Sequence, residues 1–216
     1  MSCYFVEMEC EGMAAAEMPP ELRETLKSVC NLLSMDRMGN SSLWLLGGSC
    51  GLLLHNVPLA RPPRDIDLYA DLGETDSLHN ALSHWSLDHP EENYSKDCFS
   101  VMSHYRFGTY PIELVCGFKI CSGYSQYIVE TSLLLKDAPL TYFEGIGYLR
   151  LMPLAHEFVF NILRGRSDRY ESIAAVMRMD LASHLPLLQS LSQRNTLEES
   201  HLRLLEQHLS VSLSLV

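Results

Sequence analysis

Positive charge is scarce in this 216-residue chain: 16 Lys and Arg stand against 27 Asp and Glu, a formal net charge of −11. A chain so acidic does not coat nucleic acid nonspecifically, and any nucleic-acid contact has to be made in a local basic groove. No apolar run reaches membrane-spanning length, and residues 1–18 carry acids where a secretory signal needs a basic start. A cytoplasmic protein is the expectation. Cys-x-x-Cys is also missing, and seven cysteines is an odd number. That fits a reducing compartment better than a disulfide framework and leaves structural zinc without its usual ligand pairs. Repeats are absent, and the only biased tract is a Ser/Leu-rich tail at residues 210–216. What is present, 47% apolar against 20% charged residues, suffices for one ordinary domain or a small domain with a helical extension.

One stretch stands out. Residues 43–46 form a continuous apolar run without polar alternation, as expected of a strand buried on both faces, and the run stops at Gly47 and Gly48. Two glycines permit positive φ and close backbone approach, so a turn follows. Ser49 then sets a hydroxyl at the start of a short helix carrying Leu52, Leu53 and Leu54, and unpaired amide N–H groups at such a place favour an anion. A second strand is expected at residues 64–69. Side chains alternate faces along a strand, so Asp65 and Asp67 share one face while Ile66 and Leu68 share the other. Carboxylates at that spacing, about 6–7 Å apart, repel by about 2–3 kcal/mol at an effective dielectric of about 20. Such oxygen ligands with open positions suit Mg2+ or Mn2+. The plainer alternative is a solvated acid pair on an edge strand.

The flanking segments frame this stretch. Pro19 and Pro20 open a helix in which Leu22, Leu26, Val29 and Leu33 recur at helical spacing, expected to end near Gly39 and Asn40 and to pack beside the Leu43 strand. Residues 1–18 read as loosely ordered or strand-like, with Tyr4, Phe5 and Val6 as their apolar cluster. Acids dominate between Tyr69 and Phe99, a surface that repels phosphate. Within it Leu78, Leu82 and Trp85 mark a short amphipathic helix, and His79, His84 and His89 read as surface histidines. Residues 100–107 and 110–115, separated by Gly108 and Thr109, read as a hairpin. The signal weakens over residues 116–137, where a helix or loop around 127–135 is the most that is suggested. A strand is expected at 145–152 and ends at Pro153. Leu154, Phe158 and Ile162, then Ile173, Val176, Met177 and Leu181, give helical stripes joined by an arginine-rich link at 164–171. Thr196 and Glu199 have capping-box spacing before a last helix with Leu202, Leu205 and Leu209. The expected fold class is α/β (α+β), a mixed sheet flanked by helices over residues 20–152, with a C-terminal helical part, residues 153–216, packed on it.

Gly47-Gly48-Ser49 followed by Asp65-Ile66-Asp67 resembles the nucleotidyltransferase superfamily. Its pattern is an apolar strand, Gly-Gly or Gly-Ser, a helix, Asp-x-Asp, and a third carboxylate on a later strand. The look is nearest to the AbiEii-like toxin branch, where an arginine often stands four positions before the acids, as Arg61 does before Asp65. Residues 43–115 carry the resemblance, and residues 145–177 carry it faintly, with Asp168 and Glu171 in the places of that branch's Asp-x-x-Asp. The resemblance implies a catalytic domain over residues 20–152 with Glu113, flanked by Ile112 and Leu114, as the third acid. It further implies an NTP substrate such as ATP, Mg2+ or Mn2+ held by Asp65, Asp67 and Glu113, and phosphates met by Gly47, Gly48 and Ser49. Arg61 and Arg64 would offset charge on leaving pyrophosphate, or pair with the aspartates. Arg164, Arg166 and Asp168 would add phosphate contact. The acceptor stays open between RNA, a protein hydroxyl and a small alcohol. Asn161 stands where the resemblance leads one to expect a lysine. A catalytically silent member that binds nucleotide or a protein partner is therefore the second reading, and a metal-dependent phosphohydrolase, which would not need the glycine turn, is the third.

Overall fold

A proline at the first turn of a helix loses no hydrogen bond, and α1 (Pro20–Ser34) begins at Pro20. The computed structural model describes residues 18–34, 43–95 and 97–213. The expectations for residues 1–17 and for the end of α1 at Gly39 and Asn40 lie outside the described residues. The chain continues through β1 (Leu45–Gly47), α2 (Gly48–Leu54), β2 (Ile66–Ala70), α3 (Thr75–Leu82), β3 (Glu91–Tyr94), β4 (Cys98–Arg106), β5 (Pro111–Ser122) and β6 (Ser125–Ile128). Then come α4 (Thr131–Leu134), a small hairpin of β7 (Thr141–Phe143) and β8 (Gly147–Leu149), and four helices, α5 (Leu154–Leu163), α6 (Ser167–Met177), α7 (Leu181–Arg194) and α8 (Glu199–Leu209). Among the described residues no helix is long and apolar enough to cross a membrane.

The main sheet is mixed, in the order β1-β2-β5-β4-β3, with β6 pairing the far end of β5. Among the described strands of this sheet β2 and β5 run parallel, and the other pairs are antiparallel. Alternation along the strands sorts the core into two layers. Leu46, Ile66, Leu68, Ile112 and Leu114 face one layer with Leu22, Leu26 and Val29 of α1 and Leu78 and Leu82 of α3. Leu45, Tyr69, Val115, Ile120 and Tyr127 face the other, with Phe158 and Ile162 of α5, Ile173 of α6, Leu188 of α7 and Leu205 of α8. The C-terminal helices therefore complete the core on the second face of the sheet.

Several local expectations change. The strand begins two residues into the apolar run, because the Leu43 N–H donates to the Glu74 carboxylate and Leu43 is 41% exposed. Tyr127 belongs to β6, whereas the expectation was a helix or loop; the strand becomes visible only once β5 supplies its partner. Residues 145–152 split, with β8 pairing β7 and Leu151 bridging to Leu46. Thr196 does not cap α8. Its N–H and C=O exchange hydrogen bonds with Gln126, so the helix begins three residues later, after Glu198. His79 is partly buried and hydrogen-bonded to the Tyr105 hydroxyl at 2.8 Å, while His84 and His89 lie on the surface as expected.

Candidate active site

The turn between β1 and α2 is shaped by what surrounds two glycines. A side chain at Gly47 would meet the Tyr69 ring at 2.8 Å. At Gly48, φ is +58°, and a Cβ would stand 1.8 Å from Asp67 Oδ2. The missing side chain lets the Asp67 carboxylate lie directly against the turn. β2 then places Asp67 and Tyr69 on the face opposite Ile66 and Leu68. Asp65 immediately precedes the strand.

β5 lies parallel to β2 with Asp67 opposite Glu113 in register. Ile112 and Leu114 pack into the α1 layer, so Glu113 emerges on the face that carries Asp67. Asp65, Asp67 and Glu113 line one solvent-open cavity of ≈ 410 Å³, together with Gly48 and Ser49. Among the described residues no three His, Cys, Asp or Glu side chains form a group that could hold a metal ion.

Two residues of the C-terminal helices close in on the turn, and the sequence did not single out either of them for the site. Glu157 of α5 accepts the Gly48 N–H at 3.0 Å, across 109 positions of chain. Its other oxygen accepts a hydrogen bond from Asn161 Nδ2 at 3.1 Å. Arg169 of α6 donates to Ser49 Oγ at 2.7 Å. Arg169 belonged to the arginine-rich link, which the structure folds into the start of α6. Glu157 left a different trace: the run is apolar except at His156, Glu157 and Asn161, too few polar residues for a solvent face, and all ten residues of α5 are buried.

Four acids crowd this space. Asp67 keeps part of its surface on the cavity, yet protein packs closely around it. Burial, followed by the charges of Asp65, Glu113 and Glu157, pushes its carboxyl up to about 7, against the pull of Arg169. Burial also raises Glu157 to about 7, opposed by the Gly48 N–H, Arg169, Asn161 and Arg164. Glu113 is raised by burial and by Asp65, with His104 acting the other way. Asp65, Asp67 and Glu113 present carboxylate oxygens to one cavity, a hard-oxygen donor set whose chemistry fits Mg2+ or Mn2+.

Next to the acids lies a second cavity of ≈ 490 Å³, sharing Ser49, Asp65, Arg166 and Arg169 with the first and adding Arg61 and Arg64. Arg61 and Arg64 are exposed. Arg166 is held by Asp168 through two hydrogen bonds of 3.0 and 2.9 Å, and Arg164 sits 5.3 Å over the Phe160 ring. In a chain of net charge −11, four arginines around one cavity form a local basic surface, tempered by Asp65 and Asp168 in the same lining.

No family model matches the sequence, and no curated relative does. Solved structures do match in shape. One, from a Thermotoga maritima protein assigned as a nucleotidyltransferase, gives a TM-score of 0.58 at 16% identity, over 77% of this chain and 96% of that one. Another, ANT(2'')-Ia in complex with adenylyl-2''-tobramycin, gives a TM-score of 0.43 at 10% identity, over 80% of this chain and 97% of that one. At these identities the likeness is one of fold, and the mixed sheet flanked by helices is the nucleotidyltransferase fold.

Proposed function

We propose that this protein is a metal-dependent nucleotidyltransferase, moving a nucleoside monophosphate from an NTP to a hydroxyl acceptor. The observation that carries the reading is the parallel pairing of β2 with β5, which sets Asp67 opposite Glu113 on the face shared with Asp65, between the Gly48 turn and the arginine cavity. Asp65 and Asp67, with Glu113, would hold Mg2+ or Mn2+, which would neutralise triphosphate charge and align the reacting groups. Arg61, Arg64, Arg166 and Arg169 suit the triphosphate and the departing pyrophosphate, since guanidinium groups pair with phosphate oxygens in a fixed fork. The acceptor oxygen bonds to the α-phosphorus as the bond to the bridging α–β oxygen breaks. Pyrophosphate leaves, and the hydroxyl proton passes to a base. Glu113 supplies either that base or the third ligand. Arg61 four positions before Asp65, with Asp168 and Glu171 further on, favours the AbiEii-like branch. The acceptor is RNA, a protein hydroxyl or a small alcohol.

Incubation with each labelled NTP and Mg2+ or Mn2+ tests this. Pyrophosphate release that depends on the metal is the expected result. Orthophosphate release points instead to a phosphohydrolase, and binding without turnover to a silent member of the fold. Asp67→Asn should abolish release while the protein stays folded, because the change removes a charge that its neighbours repel.

A further inference from the structure

Glu157 is 3% exposed and Asn161 1% exposed, and neither faces water as a side chain of its type ordinarily does. A buried carboxylate persists only where its oxygens are satisfied. Here one oxygen takes the Gly48 N–H at 3.0 Å and the other takes Asn161 Nδ2–H at 3.1 Å. The same Asn161 amide also donates to the Glu157 carbonyl at 2.8 Å, which ties it to the helix one turn back. Glu157 borders the cavity of the three acids, and each of its oxygens already accepts one hydrogen bond from inside the protein. Its partner Gly48 is the residue against which the Asp67 carboxylate lies.

We propose that Glu157, oriented by Asn161, is a positioning residue that clamps the Gly48 turn from α5 and thereby fixes the place of the Asp67 carboxylate in the site. Arg169, bonded to Ser49, holds the neighbouring residue of the same turn from α6. The Asn161 amide donates to the Glu157 oxygen that the Gly48 N–H leaves free, while its own Oδ1 is buried without a partner. The consequence for turnover rests on the nucleotidyltransferase reading. The clamp itself does not.

The experiment uses the full chain with Mn2+ alone as probe, alongside hydrogen exchange of the Gly48 amide in metal-free protein. In the wild type the Gly48 amide should be protected. Glu157→Met removes the acceptor while keeping an apolar side chain of similar length. It should unprotect that amide and weaken Mn2+ binding about tenfold, the effect of one hydrogen bond to a charged group. The melting temperature should fall moderately, because the buried Gly48 N–H and Asn161 Nδ2 lose their acceptor. Glu157→Gln, which keeps an acceptor oxygen, should retain affinity within about threefold. Asn161→Leu frees the carboxylate and should shift affinity in the same direction as Glu157→Met, which covers the case in which that variant fails to fold. A folded Glu157→Met protein with wild-type Mn2+ affinity overturns the proposal. So does tighter Mn2+ or NTP binding, which would make Glu157 a competitor for the site. Loss of Mn2+ affinity in a protein that never releases pyrophosphate supports the clamp and sinks the transfer reading. Turnover and Mn2+ affinity both unchanged by Glu157→Met sink the clamp alone. Absence of Mn2+ binding by the wild type overturns the transfer reading, and a Gly48 amide that stays protected in Glu157→Met then overturns the clamp as well.

Discussion

Gly47 and Gly48 look interchangeable in the sequence, yet each is required for its own reason. Gly47 gives way to the Tyr69 ring, whereas Gly48 combines a left-handed backbone with the nearby Asp67 carboxylate. An L-residue in the left-handed region costs roughly 1–2 kcal/mol, and at Gly48 the new Cβ would also displace Asp67. Gly48→Ala is therefore expected to lower unfolding free energy by at least about 1 kcal/mol in urea titrations, and to weaken Mn2+ binding as Asp67 moves. At Gly73, by contrast, an added Cβ would meet nothing within 4 Å. Gly73→Ala should leave both quantities near wild type, and equal effects at the two glycines would refute the assignment.

Among the elements, β5 shows where a sequence pattern stops being readable. Ile112, Leu114 and Cys116 face the α1 layer, and strict alternation would place Ile120 with them. Ile120 instead packs in the opposite layer with Tyr127. Between them lies Gly117 at φ +59°, where the ladder with β4 shifts register. An extra residue on one strand of a pair reverses the facing of everything beyond it. The expected strand stopped at Val115 for this reason, although β5 runs on to Ser122. A Cβ at Gly117 would meet Leu72 Cγ at 2.2 Å. Gly117→Ala should destabilise the protein by about 1–3 kcal/mol, the range for overpacked sites. Adding Leu72→Ala should recover the part due to the clash and leave the part due to φ. Urea unfolding of the two variants separates these contributions.

Taken as a whole, the molecule closes the second face of its sheet with helices, and this leaves titratable groups deep inside. His156 of α5 is 1% exposed, shares a 2.8 Å hydrogen bond with the Tyr127 hydroxyl, and is pushed down to about 3 by burial. In the unfolded chain it titrates near the ordinary 6.5. Below that pH the unfolded state binds a proton that the folded state refuses, so stability is lost as pH falls from about 6.5 towards about 3. Between pH 6.5 and 5 the loss from this group should approach about 2 kcal/mol. Urea titrations of wild type and His156→Leu at pH 7.5, 6 and 5 should show the gap between them moving in favour of the variant as pH drops. A constant gap would mean that His156 takes up its proton in the fold at the same pH as in the unfolded chain.

Local chemistry was legible in the chain itself. Helical spacing of leucines defined α1, the break at Gly47 and Gly48 marked the turn, and strand alternation set Asp65 apart from Ile66 and Glu113 apart from Ile112 and Leu114. These signals act between residues a few positions apart, where backbone sterics and side-chain period dominate. Which strands lie side by side is a different matter. β3 and β4 intervene in sequence between β2 and β5, and only the closed sheet puts Glu113 opposite Asp67. The clamp on Gly48 and the hold on Ser49 come from 109 and 120 positions further along the chain. A carboxylate removed from water must find its hydrogen-bond donors among whatever the folded chain brings within reach, so Glu157 and Arg169 acquired their place in the site only when α5 and α6 packed onto the sheet.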